Sequence, residues 1–256
     1  MLNSVKLIHW EFILSLGVLG IIWHLLSLYL DNKILLPPPM EVLSAWWQIF
    51  NNELPGDIFA SLLHLSLGYT IGVSSGFLLA LLAVSFSPCE IILDMLVEIL
   101  RPISAIAWIP IAIAIFGIGE LVPVVLIVYV SLFPIYINTV AGIRSVDKRI
   151  VSVASTLGAS RHYIILRVVL PAALPYVFSG ARLSMGVSWM VLIAAELIGG
   201  GSGLGWRSFW YEQFFAMHKN MAVILTVGVL GFTLDWLLRK LSARLTHWSP
   251  DTRLEG

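Results

Sequence analysis

The residues of this chain best placed to do chemistry are charges set in apolar surroundings. Arg182 and Glu196 stand in one long run of apolar and small residues. On a continuous helix they would lie roughly 21 Å apart along the axis and near the same face, too far to pair with each other. Met185, Trp189 and Ile193 fill the stripe between them, and Gly180, Ser184, Gly186 and Ser188 leave room for close neighbouring helices. Ionisable groups inside a lipid-spanning segment are costly and mark paths for polar solutes or protons. Two readings stay open: each charge snorkels toward its nearer end, or the stripe lines a passage. Asp94, Glu98 and Arg101 read as packing or gating charges, and Asp235 is spaced to pair with Arg239 at i+4.

The run Gly199-Gly200-Gly201-Ser202-Gly203-Leu204-Gly205 has the look of a phosphate loop, but it lacks a Gly-Lys-Ser/Thr ending and follows an apolar helix rather than a strand. It reads as a loop for docking a partner or as a plain tight turn. No HExxH and no paired His/Asp cluster is present, and no catalytic residue and no metal site are expected. The single Cys89 excludes an intrachain disulfide and a cysteine metal cluster. A net charge of zero lacks the basic footprint that nucleic acid would require.

The elements that must position these residues are membrane helices. The chain is 59% hydrophobic and 12% charged, against a charged share of about 25% in soluble domains. Six spans are expected, at 12–30, 61–86, 91–116, 121–140, 176–198 and 222–238, within one all-α domain covering 1–256. The first has too long an apolar run, and no small-residue cleavage site, for a secretory signal. Arg144, Lys148, Arg149, Arg161 and Arg167 in one connection, and Arg239, Lys240, Arg244 and Arg253 after the last span, place both segments and both termini in the cytoplasm. The glycine run then falls outside. After Pro37, Pro38 and Pro39, residues 40–50 carry Val42, Leu43, Trp46, Trp47 and Phe50 on one side, as in a helix lying in the outer lipid interface. Pro102 and Pro110 interrupt the third span and free carbonyls that neighbours must satisfy.

The cytoplasmic connection at about 141–175 has its own pattern. Asp147 is placed to cap a helix over 148–157 that ends at Gly158. Ile150, Val153, Ala154 and Leu157 make one apolar stripe on it. Ser160 can cap a second helix over 161–170, which Pro171 and Pro175 end. The two helices form a knob whose stripe either fills a groove on a partner or packs back on its own bundle.

This connection resembles that of ABC importer permeases, whose pattern is Glu-Ala-Ala, three residues, Gly, nine residues, an aliphatic residue, one more, Leu and Pro. Ser152, Val153 and Ala154 fill the first places, Gly158 the next, and Val168, Leu170 and Pro171 the last, with Ser152 replacing Glu and Val153 replacing Ala. Leu100-Arg101-Pro102-Ile103, Ala107-Trp108-Ile109-Pro110, Phe116-Gly117-Ile118-Gly119-Glu120, Gly142-Ile143-Arg144, Gly180-Ala181-Arg182 and Ala194-Ala195-Glu196 extend the likeness from about residue 60 to about 240. Jointly they resemble the nitrate, sulfonate, taurine and bicarbonate branch, except that His64 stands where relatives often carry Arg.

The resemblance implies a type I importer fold of six transmembrane helices with a cytoplasmic coupling helix, in a bacterial inner membrane. It implies that Ile150, Val153, Ala154, Leu157, Gly158 and Ala159 contact a separate ATP-binding cassette ATPase, which binds ATP and Mg. A second permease copy completes a homodimer, an extracytoplasmic solute-binding protein delivers a small oxyanion or organic sulfonate, and Arg182, Met185, Trp189 and Glu196 line the path. The competing expectation is a proton-coupled secondary transporter using Glu196 or His64. Its usual internal repeats with paired broken helices have no second copy of the Pro102/Pro110 segment here.

Overall fold

The computed structural model describes residues 2–246, without the side chains of residues 2–13, 16 and 161; Arg253 lies outside the described residues. Those residues form eleven helices, α1 Leu2–Leu30, α2 Pro39–Phe50, α3 Leu54–Ser85, α4 Ser87–Leu100, α5 Ile109–Phe116, α6 Leu121–Arg144, α7 Lys148–Thr156, α8 Arg161–Ile164, α9 Leu170–Gly199, α10 Leu204–Gln213 and α11 Met217–Leu245. A 3₁₀ turn, Ala105–Trp108, precedes α5, and a π-helical turn, Ile165–Val169, joins α8 to α9.

The centre of the bundle is α6. Half of its most apolar stretch is buried, against 28% for α3 and 17% for α11. Small residues on the flanking helices let it sit so deep. A Cβ on Gly72 of α3 would lie 1.8 Å from Ser131 Oγ, and one on Gly76 would lie 2.1 Å from Ile135 Cγ2. On the other side a Cβ on Gly180 of α9 would meet Asn138 Cβ at 2.8 Å, and Ser184 Oγ donates to the Ser131 carbonyl at 2.7 Å. Where lipid offers no hydrophobic drive between helices, such close backbone approach supplies the packing.

Among the described residues, four helices are long and apolar enough to cross a membrane: α3, α6, the continuous stretch His162–Gly199, and α11. The expected span at 91–116 is instead two helices, α4 and α5, meeting at 87°. Pro102 lies in the break, whereas Pro110 sits in the first turn of α5, where a missing N–H costs nothing. Tyr129 of α6 donates its hydroxyl to the Leu100 carbonyl at 2.7 Å, satisfying a group the break frees.

Two further expectations need correction. Pro171 and Pro175 do not end the second loop helix; the chain runs on through both into α9. The wider π turn just before Pro171 relieves the clash its ring would make with the carbonyl four residues back. On α2 the apolar residues split between two faces. Val42, Ala45 and Ile49 are buried and half-buried Trp46 donates Nε1 to Thr226 Oγ1 of α11 at 3.0 Å, while Leu43, Trp47 and Phe50 are exposed.

Candidate functional site

Charged and functional side chains collect at the two ends of the bundle, about 36 Å apart along the 24 residues of α6. One end holds the starts of α3 and α6 and the end of α9. There Glu196 is wholly buried. Its Oε1 faces His64 Nδ1 at 2.8 Å, and its Oε2 accepts from Ser61 Oγ at 2.8 Å and from the Gly205 amide at 2.9 Å. The other ring nitrogen of His64, Nε2, is paired with Glu120 Oε2, and Glu120 Oε1 accepts from Ser202 Oγ at 2.7 Å.

This geometry gives the glycine run a specific job. Gly203 has φ +102°, a left-handed conformation, and a Cβ there would lie 2.4 Å from the Glu196 carboxyl carbon. The loop therefore folds directly over the carboxylate, and the Leu204 amide closes the ring of contacts on Ser61 Oγ at 2.8 Å. A buried carboxylate with two donors, Ser61 Oγ and the Gly205 amide, and a facing imidazole is satisfied within the protein. Glu196 is thus enclosed at this end of the stripe, where Ser61 and His64 of α3 and the Gly205 amide of α10 converge on it. Burial pushes the Glu120 carboxyl up, but the hydrogen bonds from Ser202 and His64 outweigh that and hold it below the usual carboxylate range.

A second ionic group lies beside it. Arg207 of α10 pairs with Asp57 at 2.6 Å and with Glu53 at 3.2 Å, and Tyr211 donates to Glu53 at 2.6 Å. Burial lowers the affinity of the Arg207 guanidinium for its proton, and the Asp57 bond more than restores it. Sequence reasoning missed this cluster; its members come from two helices far apart in the chain.

The stripe on α9 runs toward the other end. Met185 and Trp189 are half-buried against α3 and α11, packed near Leu65, Leu192 and Leu234. Met185 also lines an apolar groove of about 490 Å³ with Phe59, Leu62, Ser66, Tyr69 and Leu234. Arg182 donates Nε to Asp235 Oδ1 at 3.2 Å, and Asp235 also pairs with Arg239, so the expected i+4 pair is part of a three-membered group. Arg144, at the end of α6, is tied to Glu90 and Asp94 of α4.

Beyond Arg144 comes the knob. Asp147 caps α7 by accepting from the Arg149 amide at 2.8 Å. Gly158 turns the corner at φ +84°, and Ser160 Oγ accepts from the Tyr163 amide at 3.3 Å. Ile150, Val153 and Leu157 are 55%, 60% and 82% exposed, so the chain's own bundle does not cover the stripe. Ala154 and Ala159 are half-buried, and Gly158 is open.

A helical bundle built around buried charge, with an uncovered apolar knob at one end, is the architecture of a membrane transport subunit. The chain belongs to the family described as the binding-protein-dependent transport system inner membrane component, which matches residues 43–247. It is similar to the taurine transport system permease protein TauC of Escherichia coli (strain K12), 34% identical over 94% of this chain and 91% of that one. It is likewise similar to a putative aliphatic sulfonates transport permease protein, SsuC, of Bacillus subtilis (strain 168), 33% identical over 97% and 86%. The nitrate import permease protein NrtB of Synechocystis is 29% identical over 86% and 83%.

Among solved structures, the MetNI methionine ABC transporter in an inward-facing conformation matches with a TM-score of 0.60 at 20% identity, over 75% of this chain and 93% of that one. The fold is that of type I ABC importer permeases. This chain is a membrane-embedded permease subunit of an ABC importer, not an enzyme and not a proton-coupled secondary transporter. ATPase and binding-protein partners follow from the family.

Proposed function

We propose that the chain forms half of an importer for a small oxyanion or organic sulfonate, delivered by an extracytoplasmic binding protein. Support for the solute class comes from the named cargoes of the similar permeases, taurine, aliphatic sulfonates and nitrate. Six spans result if α1 and the bent α4–α5 pair each cross once, which puts both termini and the knob in the cytoplasm of a bacterial cell. Two copies make a C2 homodimer, because each chain has one knob to offer one of two ATPase subunits. Those subunits bind ATP and Mg. Arg182, Met185 and Trp189 face the solute path, and Glu196 closes the bundle at its far end.

One observation carries the reading: the apolar stripe of α7, with Leu157 82% exposed beside the corner at Gly158. Ile150, Val153, Ala154, Leu157, Gly158 and Ala159 form the ATPase contact. Placing a carboxylate there by Leu157→Asp would bury a charge against an apolar groove, at a cost of several kcal/mol. Affinity purification of the complex tests it. Leu157→Asp should lose the ATPase from the purified permease, and stoichiometric recovery with normal transport would contradict the docking assignment.

A further inference from the structure

His64 sits in a seat that demands charge. Both of its ring nitrogens face carboxylate oxygens, Nδ1 that of Glu196 and Nε2 that of Glu120. The ring is 1% exposed, and each nitrogen faces its carboxylate oxygen directly. A neutral imidazole has one donor and one acceptor nitrogen; only the doubly protonated ring donates to both carboxylates. Among the described residues, Glu196 from α9 and Glu120 from the turn before α6 are the ionisable groups that face it. The nearby Arg207, Asp57 and Glu53 are engaged with one another.

The two carboxylates that flank the ring also hold the glycine loop. Glu196 accepts from the Gly205 amide, Glu120 accepts from Ser202 Oγ, and Ser61, bonded to Glu196, accepts from the Leu204 amide. The Gly119 amide adds a fourth tie, donating to the Gly199 carbonyl at 2.9 Å. We propose that His64 is a proton-dependent latch: while its ring carries both protons it draws Glu120 and Glu196 together and keeps the loop at 199–205 closed over this end of the bundle. Loss of one proton turns a ring lone pair toward a carboxylate and leaves two anions without their shared cation. Glu196 stays, because Ser61 and the Gly205 amide still hold it in a buried site. Glu120, whose side chain is 59% exposed, is free to turn to water and takes the Ser202 tie with it.

The latch therefore closes as pH falls into the range where imidazole is charged and opens as pH rises. At the acid end Glu120 keeps it closed to low pH, since its carboxyl is held below the usual range by Ser202 and His64 against the opposing effect of burial. The His64 seat would work equally well, and without pH dependence, with a permanent cation in it.

The test is hydrogen exchange at the Gly119 amide, which donates to the Gly199 carbonyl at 2.9 Å while the loop is closed. Full-length protein in detergent is compared with the same protein carrying His64→Arg. Dividing the two exchange rates, parent over variant, at each pH cancels the intrinsic pH dependence of amide exchange. The ratio should be near one at about pH 6 and rise to about fivefold or more by about pH 9. A ratio that stays flat overturns the latch. Should His64→Arg not fold, Glu120→Gln serves: its Gly119 amide should exchange about fivefold faster than the parent's at about pH 6 and converge with it at about pH 9, and equal rates at the lower pH overturn the proposal. Exchange in detergent reads the loop directly, so the outcome is independent of how transport assays bear on the solute or the ATPase contact.

Discussion

Glu196 and His64, 132 residues apart in the chain, meet at 2.8 Å with 0% and 1% of their side chains exposed. The pair ties the end of α9 to the start of α3, and the glycine loop wraps the carboxylate. Removing the charge by Glu196→Gln leaves a buried cation short of an anion and sets an amide N–H₂ against donors from Ser61 and Gly205. Breaking a buried pair this way costs about 3–5 kcal/mol. Thermal unfolding in detergent should show a fall of several degrees, and a variant as stable as its parent would mean that the carboxylate does not bind the two helices together.

The loop over that carboxylate tolerates no side chain at Gly203. Its φ of +102° is strained for any L-residue, and a Cβ would lie 2.4 Å from Glu196 Cδ. Gly203→Ala should destabilise by about 1–3 kcal/mol. Gly201→Ala, at an open position in the same loop, is the control and should stay within about 0.5 kcal/mol of the parent. Equal effects at the two positions would contradict the close approach.

At the helix interface the sensitive position is Gly72. A Cβ there would sit 1.8 Å from Ser131 Oγ and 2.8 Å from the Val128 carbonyl, so α3 and α6 must separate to admit it. Gly72→Ala should cost about 1–3 kcal/mol, and Ser131→Gly in the same chain should recover part of that by removing the nearer clash. Double-mutant unfolding measurements decide it; additive effects would show that the two residues do not share the contact.

Acid should weaken the fold through Glu120. Its carboxyl titrates below its ordinary value in the folded protein, because Ser202 and His64 outweigh burial. A group depressed in this way contributes stability that is present above the unfolded value of about 4.3 and is lost as pH falls through the folded one. Melting temperature measured downward from about pH 6 should therefore fall less steeply in Glu120→Gln than in the parent. Parallel curves would show that Glu120 gains nothing from its partners.

Much of this was legible in the residues. The apolar composition, the break at Pro102, the Asp147 cap and the Gly158 corner all act locally, through helix geometry and backbone freedom. Sequence periodicity placed Arg182, Met185, Trp189 and Glu196 on one stripe, but could not say what faces it. Glu196 is enclosed because Ser61, His64 and Gly205 arrive from elsewhere in the chain, and no spacing reports such a meeting. Arg207 with Asp57 and Glu53 was missed for the same reason. Pro171 and Pro175 misled, since a π turn, which has no sequence signature of its own, carries the helix past them. The stripe on α2 divided because the buried face is set by α11 and its Thr226, not by the count of apolar residues.

The most direct test of the central claim is reconstituted transport. The permease, its ATPase and its binding protein are placed in liposomes, with a labelled sulfonate or nitrate supplied with the binding protein and ATP supplied to the ATPase. Uptake should require ATP, the binding protein and an intact α7 stripe, and should vanish with Leu157→Asp while an imposed proton gradient alone drives none. Uptake of the same solute driven by a proton gradient in the absence of ATP and ATPase would contradict the account.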